Sequence, residues 1–178
     1  MNSNLNGKLS TDMSNNIPGR IQISFLRHGF AEDHASSGLD RDRELTQIGI
    51  DIVKRQGEYM VQQKFRYDFI ITSPYPRAQK TAEIVAEALS LSGVLKVDAR
   101  IACGFHFSQL LELIIEANGC NSILFVGHNP DLSLLTGQLS GAHVNLKKGG
   151  LAILDVWKLE PGGADLLSLL TPALMGAK

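Results

Sequence analysis

The stretch Ile21-Gln22-Ile23-Ser24-Phe25-Leu26-Arg27-His28-Gly29 decides the fold, because a β-branched, apolar run stops at two basic residues and a glycine. Two further runs repeat this plan. Residues 67–72 lead into Ser73-Pro74-Tyr75-Pro76-Arg77, and residues 122–126 lead into Gly127-His128-Asn129-Pro130. Helical patterns of roughly ten to eighteen residues separate the strands. Strands that alternate with helices favour right-handed parallel crossovers, so the sequence predicts an α/β protein, a three-layer α/β/α sandwich with a mostly parallel central sheet.

Apolar residues three and four positions apart predict the helices. The first helix follows a cap at Thr46, and the second runs from Ser73-Pro74 to about Leu89. The predicted buried face of the first helix contains Ile48, Ile52, Val53 and Met60, and that of the third contains Phe107, Leu110, Leu111, Ile114 and Ile115. Residues 95–97 are predicted as a short strand, and residues 151–157 and 165–170 as a hairpin at the sheet edge.

The composition is typical of a soluble globular protein. The chain has 178 residues, 44% of them hydrophobic, with 17 Lys and Arg against 18 Asp and Glu. Residues 21–178 are expected to form a single domain, and residues 1–20, which are rich in Asn, Ser and Gly, a flexible tail. The balanced charge argues against a nucleic-acid partner, and no apolar run approaches the roughly 20 residues that span a membrane. Two isolated cysteines without an apolar signal segment favour the cytoplasm, and they form neither a disulfide framework nor a metal-type pair.

The ends of the three strands are where a ligand is expected, since open α/β sheets bind ligands beyond the carboxyl ends of their strands. These ends carry Arg27, His28, Arg77 and His128. Arginine forks match the oxygens of a phosphoryl group, and an imidazole can attack phosphorus or donate a proton. The sequence therefore predicts a phosphate site that demands no metal and no other cofactor.

Less specific interpretations of the same residues stay open. Arg77 lies in the first turn of its helix, where the interaction of a positive charge with the helix dipole costs about 0.3–1 kcal/mol. A bound phosphate would offset this cost. A surface position with an ion pair to Glu83 or another neighbour would explain Arg77 without any ligand. A single histidine after a strand is usually structural, so the prediction depends on two Arg and two His meeting at one sheet edge.

Four motifs, in this order, resemble the histidine phosphatase superfamily, also called the phosphoglycerate mutase-like fold. Phe25-Leu26-Arg27-His28-Gly29 is similar to its nucleophile motif, and Leu45-Thr46-Gln47-Ile48-Gly49 to its Leu-Thr-x-x-Gly helix start. Residues 73–82 resemble its Ser-Pro-x-x-Arg-Ala-x-x-Thr-Ala segment, and Val126-Gly127-His128-Asn129-Pro130 its last motif. Three features are most similar to the SixA-type phosphohistidine phosphatases: the short chain, the Gly-His-Asn-Pro-Asp-Leu-Ser string of residues 127–133, and Leu146-Lys147-Lys148-Gly149-Gly150 followed by a strand.

The resemblance implies a phosphatase with a histidine nucleophile. It implies that His28 becomes transiently phosphorylated, that Arg27 and Arg77 clamp the phosphoryl oxygens, and that water then releases phosphate. His128 would hydrogen-bond the same oxygens. The expected partner is a phosphohistidine-bearing protein of a phosphorelay or phosphotransfer system. Two alternatives remain: a small-molecule phosphomonoesterase acting on a sugar phosphate or nucleotide, and a non-catalytic reader of phosphorylated groups.

The general acid is the feature in which this sequence departs from the superfamily pattern. Mutases and many phosphomonoesterases carry a glutamate after the third strand, whereas residues 97–104 offer only Asp98. Glu32 and Asp33 are the other candidates, with solvated loop charges as the alternative interpretation. A missing acid suits an imidazole leaving group better than an alkoxide, because imidazole can depart as a neutral ring. His34, His106 and His143 are expected at the surface, and Cys103 is expected as a buried structural thiol.

Overall fold

A computed structural model describes residues 19–176. Of the predicted tail, residues 1–20, positions 1–18 lie outside the described residues. The strands are β1 (Ile21–Arg27), β2 (Phe69–Thr72), β3 (Leu95–Val97), β4 (Ser122–Gly127), β5 (Leu151–Val156) and β6 (Ala164–Leu170). The helices are α1 (Gln47–Gln62), α2 (Pro76–Ala88), α3 (Phe107–Glu116) and α4 (Asp131–Ser140). Within residues 19–176, none of the helices combines the length and the hydropathy that crossing a bilayer requires.

The six strands form one sheet in the order β3-β2-β4-β1-β5-β6. β1 pairs in parallel with β4, and β2 pairs in parallel with both β3 and β4. β5 runs antiparallel to β1, and β6 runs antiparallel to β5. The mostly parallel sheet and the C-terminal hairpin are therefore confirmed. The parallel strands β1 and β4 lie side by side at the centre, so their carboxyl ends are adjacent.

Alternating residues of the central strands supply two hydrophobic cores, one on each face of the sheet. Ile23 and Phe25 of β1 pack with Phe125 of β4 in the core that also contains buried residues of α3 and α4. Leu26 and Val126 belong to the second core, together with buried residues of α1 and α2. Two helical layers thus enclose the sheet, as the three-layer prediction requires.

The buried faces of two helices differ from the predicted ones. Ile48 is 70% exposed, because α1 packs through Gly49, where a Cβ atom would overlap the carbonyl of Phe30. In α3, Ile115 is 54% exposed, and Leu113 is buried instead. In α1 the prediction failed because a hydrophobic pattern counts large apolar residues and therefore misses a face that is buried through a small one.

Candidate active site

The ends of β1 and β4 place two histidines side by side. Arg27 lies opposite Gly127 in the parallel pairing, and the His28 N–H donates a 3.0 Å hydrogen bond to the Gly127 carbonyl. His128 is the next residue after β4, and the two imidazole centroids are 5.2 Å apart. Both histidines are buried. Strand pairing that continues past β1 therefore sets the spacing of the two rings.

Arg77 reaches the same point from the first turn of α2. Its side chain is buried, and its Nε donates to Nε2 of His28 at 3.3 Å. Thr81 anchors this turn: its hydroxyl donates to the Arg77 carbonyl at 2.7 Å and accepts from the Gly29 N–H at 3.1 Å. The start of α2 is thus tied to the residue that follows His28, and the arginine and the histidine are held in register.

The hydrogen bonds of His28 define its tautomer. Nδ1 lies 2.8 Å from the carbonyl oxygen of Gly29. Because a carbonyl only accepts, Nδ1 carries the proton, and the lone pair of the neutral ring is on Nε2. That lone pair accepts the N–H of Arg77. Nε2 is therefore the nitrogen available for attack on an electrophile that Arg77 binds.

Burial keeps both imidazoles neutral at neutral pH. Burial, together with the charges of Arg77 and Arg27 and against the raising effect of the Gly29 carbonyl, lowers the pKa of His28 to about 4. Burial also lowers the pKa of His128 to about 3, with His28 and Arg77 adding to the shift. Only a neutral imidazole has a lone pair for nucleophilic attack, so the ground state of the site is the reactive form.

His128 is oriented by the turn that follows β2. Its Nε2 lies 2.8 Å from the hydroxyl of Ser73, which also accepts the backbone N–H of Tyr75 at 3.2 Å. The ring of Tyr75 packs against His128 with centroids 4.9 Å apart. Nδ1 of His128 is buried and has no hydrogen-bond partner among the described residues. The histidine is held by one nitrogen and by ring packing.

A loop before β5 supports Arg27. The carbonyl of Leu146 accepts Arg27 Nη1 at 3.0 Å and Asn129 Nδ2 at 2.8 Å, which links the ends of β1 and β4. The N–H of Gly149 lies within hydrogen-bonding distance of the carbonyls of Arg27 and His28, at 3.1 and 3.0 Å. Gly149 has a φ of +69°, a conformation that favours glycine. The function of this loop in positioning Arg27 could not be deduced from its sequence.

Asp40 and Arg43 join the site from the loop between β1 and α1, and the sequence reasoning missed both. Arg77 Nη1 donates to the Asp40 carbonyl at 2.6 Å, and Nη2 donates to Oδ2 of Asp40 at 2.9 Å. Oδ1 of Asp40 accepts Arg43 Nη1 at 2.7 Å. Arg77 is therefore paired with Asp40, whereas Glu83 contacts Gln79 and Lys80. Of the alternative interpretation, the surface position and the pairing with Glu83 are wrong, whereas an ion pair with another neighbour is present, because the loop supplies Asp40.

The three predicted acid/base candidates lie elsewhere. Asp98 is bound to Arg100, with Nη2 and Oδ2 2.8 Å apart, and the hydrogen bonds from Arg100 lower the pKa of Asp98. Glu32 and Asp33 are exposed, and Oε2 of Glu32 accepts the N–H of Glu44 at 3.4 Å. Among residues 19–176, none of the three is hydrogen-bonded to Arg27, His28, Arg77 or His128.

The remaining predictions concern the surface. His34, His106 and His143 are exposed, as expected. Cys103 is exposed too, so the prediction of a buried thiol is wrong. The turn that contains Cys103 buries its neighbours Ile101 and Phe105 instead.

Comparison with known proteins shows which family the sequence resembles. Residues 23–102 match the model of the histidine phosphatase superfamily (branch 1). An uncharacterised protein of Picosynechococcus is 35% identical over 138 residues, which cover 74% of this chain and 82% of the relative. The phosphohistidine phosphatase SixA of Escherichia coli (strain K12) is 30% identical over 122 residues, which cover 67% of this chain and 74% of SixA.

A solved structure supports the fold. The protein histidine phosphatase SixA complexed with tungstate has a TM-score of 0.76 and 23% identity, over 86% of this chain and 98% of that one. The layers and the six-stranded sheet are those of the phosphoglycerate mutase-like fold. From its fold and its similarity in sequence to SixA, the chain belongs to the histidine phosphatase superfamily, whose members include phosphatases that act through a histidine.

Proposed function

We propose that this protein is a phosphohistidine phosphatase, which removes phosphate from a histidine of a partner protein through a phosphorylated His28. The observation that carries the proposal is the state of His28: a buried, neutral ring whose Nε2 lone pair is held 3.3 Å from Nε of Arg77. An arginine that meets the nucleophile through one nitrogen can present its other N–H groups to the phosphoryl oxygens. Nucleophile and anion site therefore coincide.

The first step transfers the phosphoryl group to His28. Its Nε2 lone pair forms a bond to phosphorus while the bond from phosphorus to the donor imidazole breaks. The transition state is loose and spreads negative charge over the equatorial oxygens, which Arg27, Arg77 and His128 stabilise. A phosphoimidazole that is protonated on its second ring nitrogen leaves as a neutral ring and needs no acid from the enzyme.

The surroundings of Asp98 support a histidine donor over an ester. A phosphate ester leaves as an alkoxide, which must be protonated in the transition state. Asp98 is the sole carboxylate in residues 97–104, and Arg100 binds it and keeps it ionised. The segment in which the superfamily often places its acid thus supplies no free one here, and this favours a leaving group that departs neutral.

The experiment compares substrates directly. Phosphate release from a phosphorylated histidine-containing carrier protein is measured beside release from sugar phosphates and nucleotides, at equal enzyme concentration. We expect the carrier protein to have the highest kcat/KM. His28→Ala should abolish turnover while binding of a phosphate analogue stays measurable. Faster turnover of the esters would identify a small-molecule phosphatase instead, and binding of phosphorylated ligands without any turnover would identify a reader.

A further inference from the structure

Within the described part of the chain, Asp40 is the one carboxylate that is hydrogen-bonded to any of the four predicted site residues, and its partner there is Arg77. It begins a short 3-10 helix, Asp40–Asp42, in the loop between β1 and α1. One oxygen, Oδ2, accepts from Arg77 at 2.9 Å, and the other, Oδ1, accepts from Arg43 at 2.7 Å. Two arginines thus fix the orientation of this carboxylate.

The guanidinium of Arg77 connects Asp40 to the candidate nucleophile. Its Nε contacts Nε2 of His28, and its Nη2 contacts Oδ2 of Asp40. The carboxylate therefore lies one guanidinium width from the nitrogen that would carry the phosphoryl group. The Asp40 side chain is 62% exposed, whereas that of Arg77 is 4% exposed. Asp40 therefore joins a buried arginine beside the nucleophile to bulk water.

A group that accepts a proton from the attacking water speeds the hydrolysis of a phosphorylated His28. An oxygen of water forms a bond to phosphorus, the bond between phosphorus and Nε2 breaks, and the electron pair returns to the ring. The ring keeps its proton on Nδ1, because Nδ1 donates to the Gly29 carbonyl, so the ring itself does not take the proton that the water loses to a base. His128 is buried, so a proton on its ring would leave a cation beside Arg77 inside the protein, whereas the Asp40 side chain is 62% exposed and can exchange its proton with solvent.

We propose that the carboxylate of Asp40 accepts this proton and is the general base that hydrolyses phosphorylated His28. This role rests on the function proposed above. The water gives its proton to Oδ2 as its oxygen bonds to phosphorus, and the exposed carboxylic acid then releases the proton to solvent. Asp40 starts ionised because its hydrogen bond from Arg43 and the charge of Arg77 lower its pKa.

Binding of the phosphoryl group makes Asp40 a better base. In the phosphate-free structure Arg77 donates to Asp40. A phosphoryl group on His28 competes for the same N–H groups, which removes one stabilising contact from the carboxylate and sets a second anion beside it. Both changes increase its affinity for a proton. Arg43 keeps the carboxylate at the site through Oδ1.

The test separates the two chemical steps by rapid quench. Asp40→Asn keeps the shape of the side chain and removes the base. We expect a burst of one leaving group per enzyme at the wild-type rate, followed by a steady-state rate at least about 100-fold slower, with phosphorylated His28 accumulating. Asp42→Asn, a change of the same kind two residues further in the same 3-10 helix, should give wild-type rates in both phases.

A second variant guards against a change in the fold. In Asp40→Ala, added formate should restore the slow phase without altering the burst. The proposal is overturned if Asp40→Asn turns over at the wild-type rate, if burst and steady state slow equally, or if formate restores nothing.

The choice of phosphoryl donor distinguishes this role from the proposed function. Each variant is tested with the phosphorylated carrier protein and with an aryl phosphate. If the wild type forms phosphorylated His28 from the aryl phosphate alone, the proposed substrate fails, and accumulation in Asp40→Asn still supports the base. If the wild type turns over substrate but forms no phosphorylated His28, both proposals are overturned.

Discussion

Two arginines that follow neighbouring strands of the sheet differ in the groups that they contact. Arg77, after β2, contacts a neutral imidazole and one carboxylate, that of Asp40, which is shared with Arg43. Arg100, after β3, lies within 3.5 Å of three carboxylates, those of Asp98, Glu112 and Glu116. We call the first set the Arg77 cluster and the second the Arg100 cluster.

The balance of charge gives the two clusters different capacities. In the Arg100 cluster three carboxylates surround one cation, so a further anion would be repelled and the arginine has a structural function. In the Arg77 cluster Arg77 and Arg43 share one carboxylate, and the charge of Arg27 also acts on His28. The Arg77 cluster keeps an excess of positive charge in a buried setting, where it attracts a dianion strongly. An arginine near a strand end becomes an anion site only when its neighbours leave it uncompensated.

The largest expected effect comes from changing both arginines in the same way. Arg77→Lys should lower kcat/KM by about 100-fold or more, because an ammonium group cannot contact the nucleophile and two phosphoryl oxygens in one plane. Arg100→Lys should leave kcat/KM within about twofold of the wild type. Steady-state kinetics of the two variants measure the contrast. Similar losses in both, or wild-type kinetics in Arg77→Lys, would remove the distinction between the clusters.

The sequence was informative about the Arg77 cluster where strands determine its geometry. His28 and His128 follow central parallel strands, so topology alone brings them together. Asp40 could not be found in this way, because it lies in a polar loop of similar charged residues and its partner Arg77 is 37 positions away. Asp98 was proposed from its place after β3, but its partner Arg100 is a local one that position alone did not reveal. Strand ends are predictable from periodicity, whereas the pairing of loop charges depends on tertiary structure.

A smaller effect is expected from the serine that holds His128. Ser73→Ala should lower kcat/KM about tenfold, because it removes the 2.8 Å hydrogen bond that orients the buried ring. Ser108→Ala is the matched control, since the hydroxyl of Ser108 lies 3.3 Å from Nδ1 of the exposed His106. Neither residue belongs to the Arg77 cluster or to the Arg100 cluster. It should have no effect on kcat/KM. Equal kinetics for Ser73→Ala and the wild type would show that packing against Tyr75 is sufficient to orient His128.

The two clusters should also respond to acid in different pH windows. The pKa of His28 is about 4 in the folded protein and roughly 6.5 in the unfolded chain, so below pH 6.5 the unfolded chain binds protons that the folded protein excludes. His28 should therefore lower the free energy of unfolding by about 1 kcal/mol between pH 6.5 and 5.5.

Urea denaturation at these two pH values gives the free energy of unfolding of the wild type and of His28→Asn. The effect is the difference between the two proteins in how much this free energy changes from pH 6.5 to 5.5. The variant should lose less stability on acidification than the wild type. If the free energy of unfolding changed equally in both proteins, His28 would be protonated as readily in the folded state as in the unfolded chain.

The smallest effect is expected in the Arg100 cluster, from Asp98→Asn. Hydrogen bonds from Arg100 lower the pKa of Asp98, so the ion pair stabilises the fold above the ordinary pKa of an aspartate and is lost as pH falls through the lowered value. The variant should be slightly less stable than the wild type in urea at pH 7, and the two proteins should converge in strong acid. Its kcat/KM should stay within about twofold of the wild type, because Asp98 pairs with Arg100 and touches no residue of the Arg77 cluster among the described hydrogen bonds. A tenfold loss of activity toward phosphohistidine would instead support Asp98 as the general acid. The ion pair between Asp98 and Arg100 would then have to break during turnover.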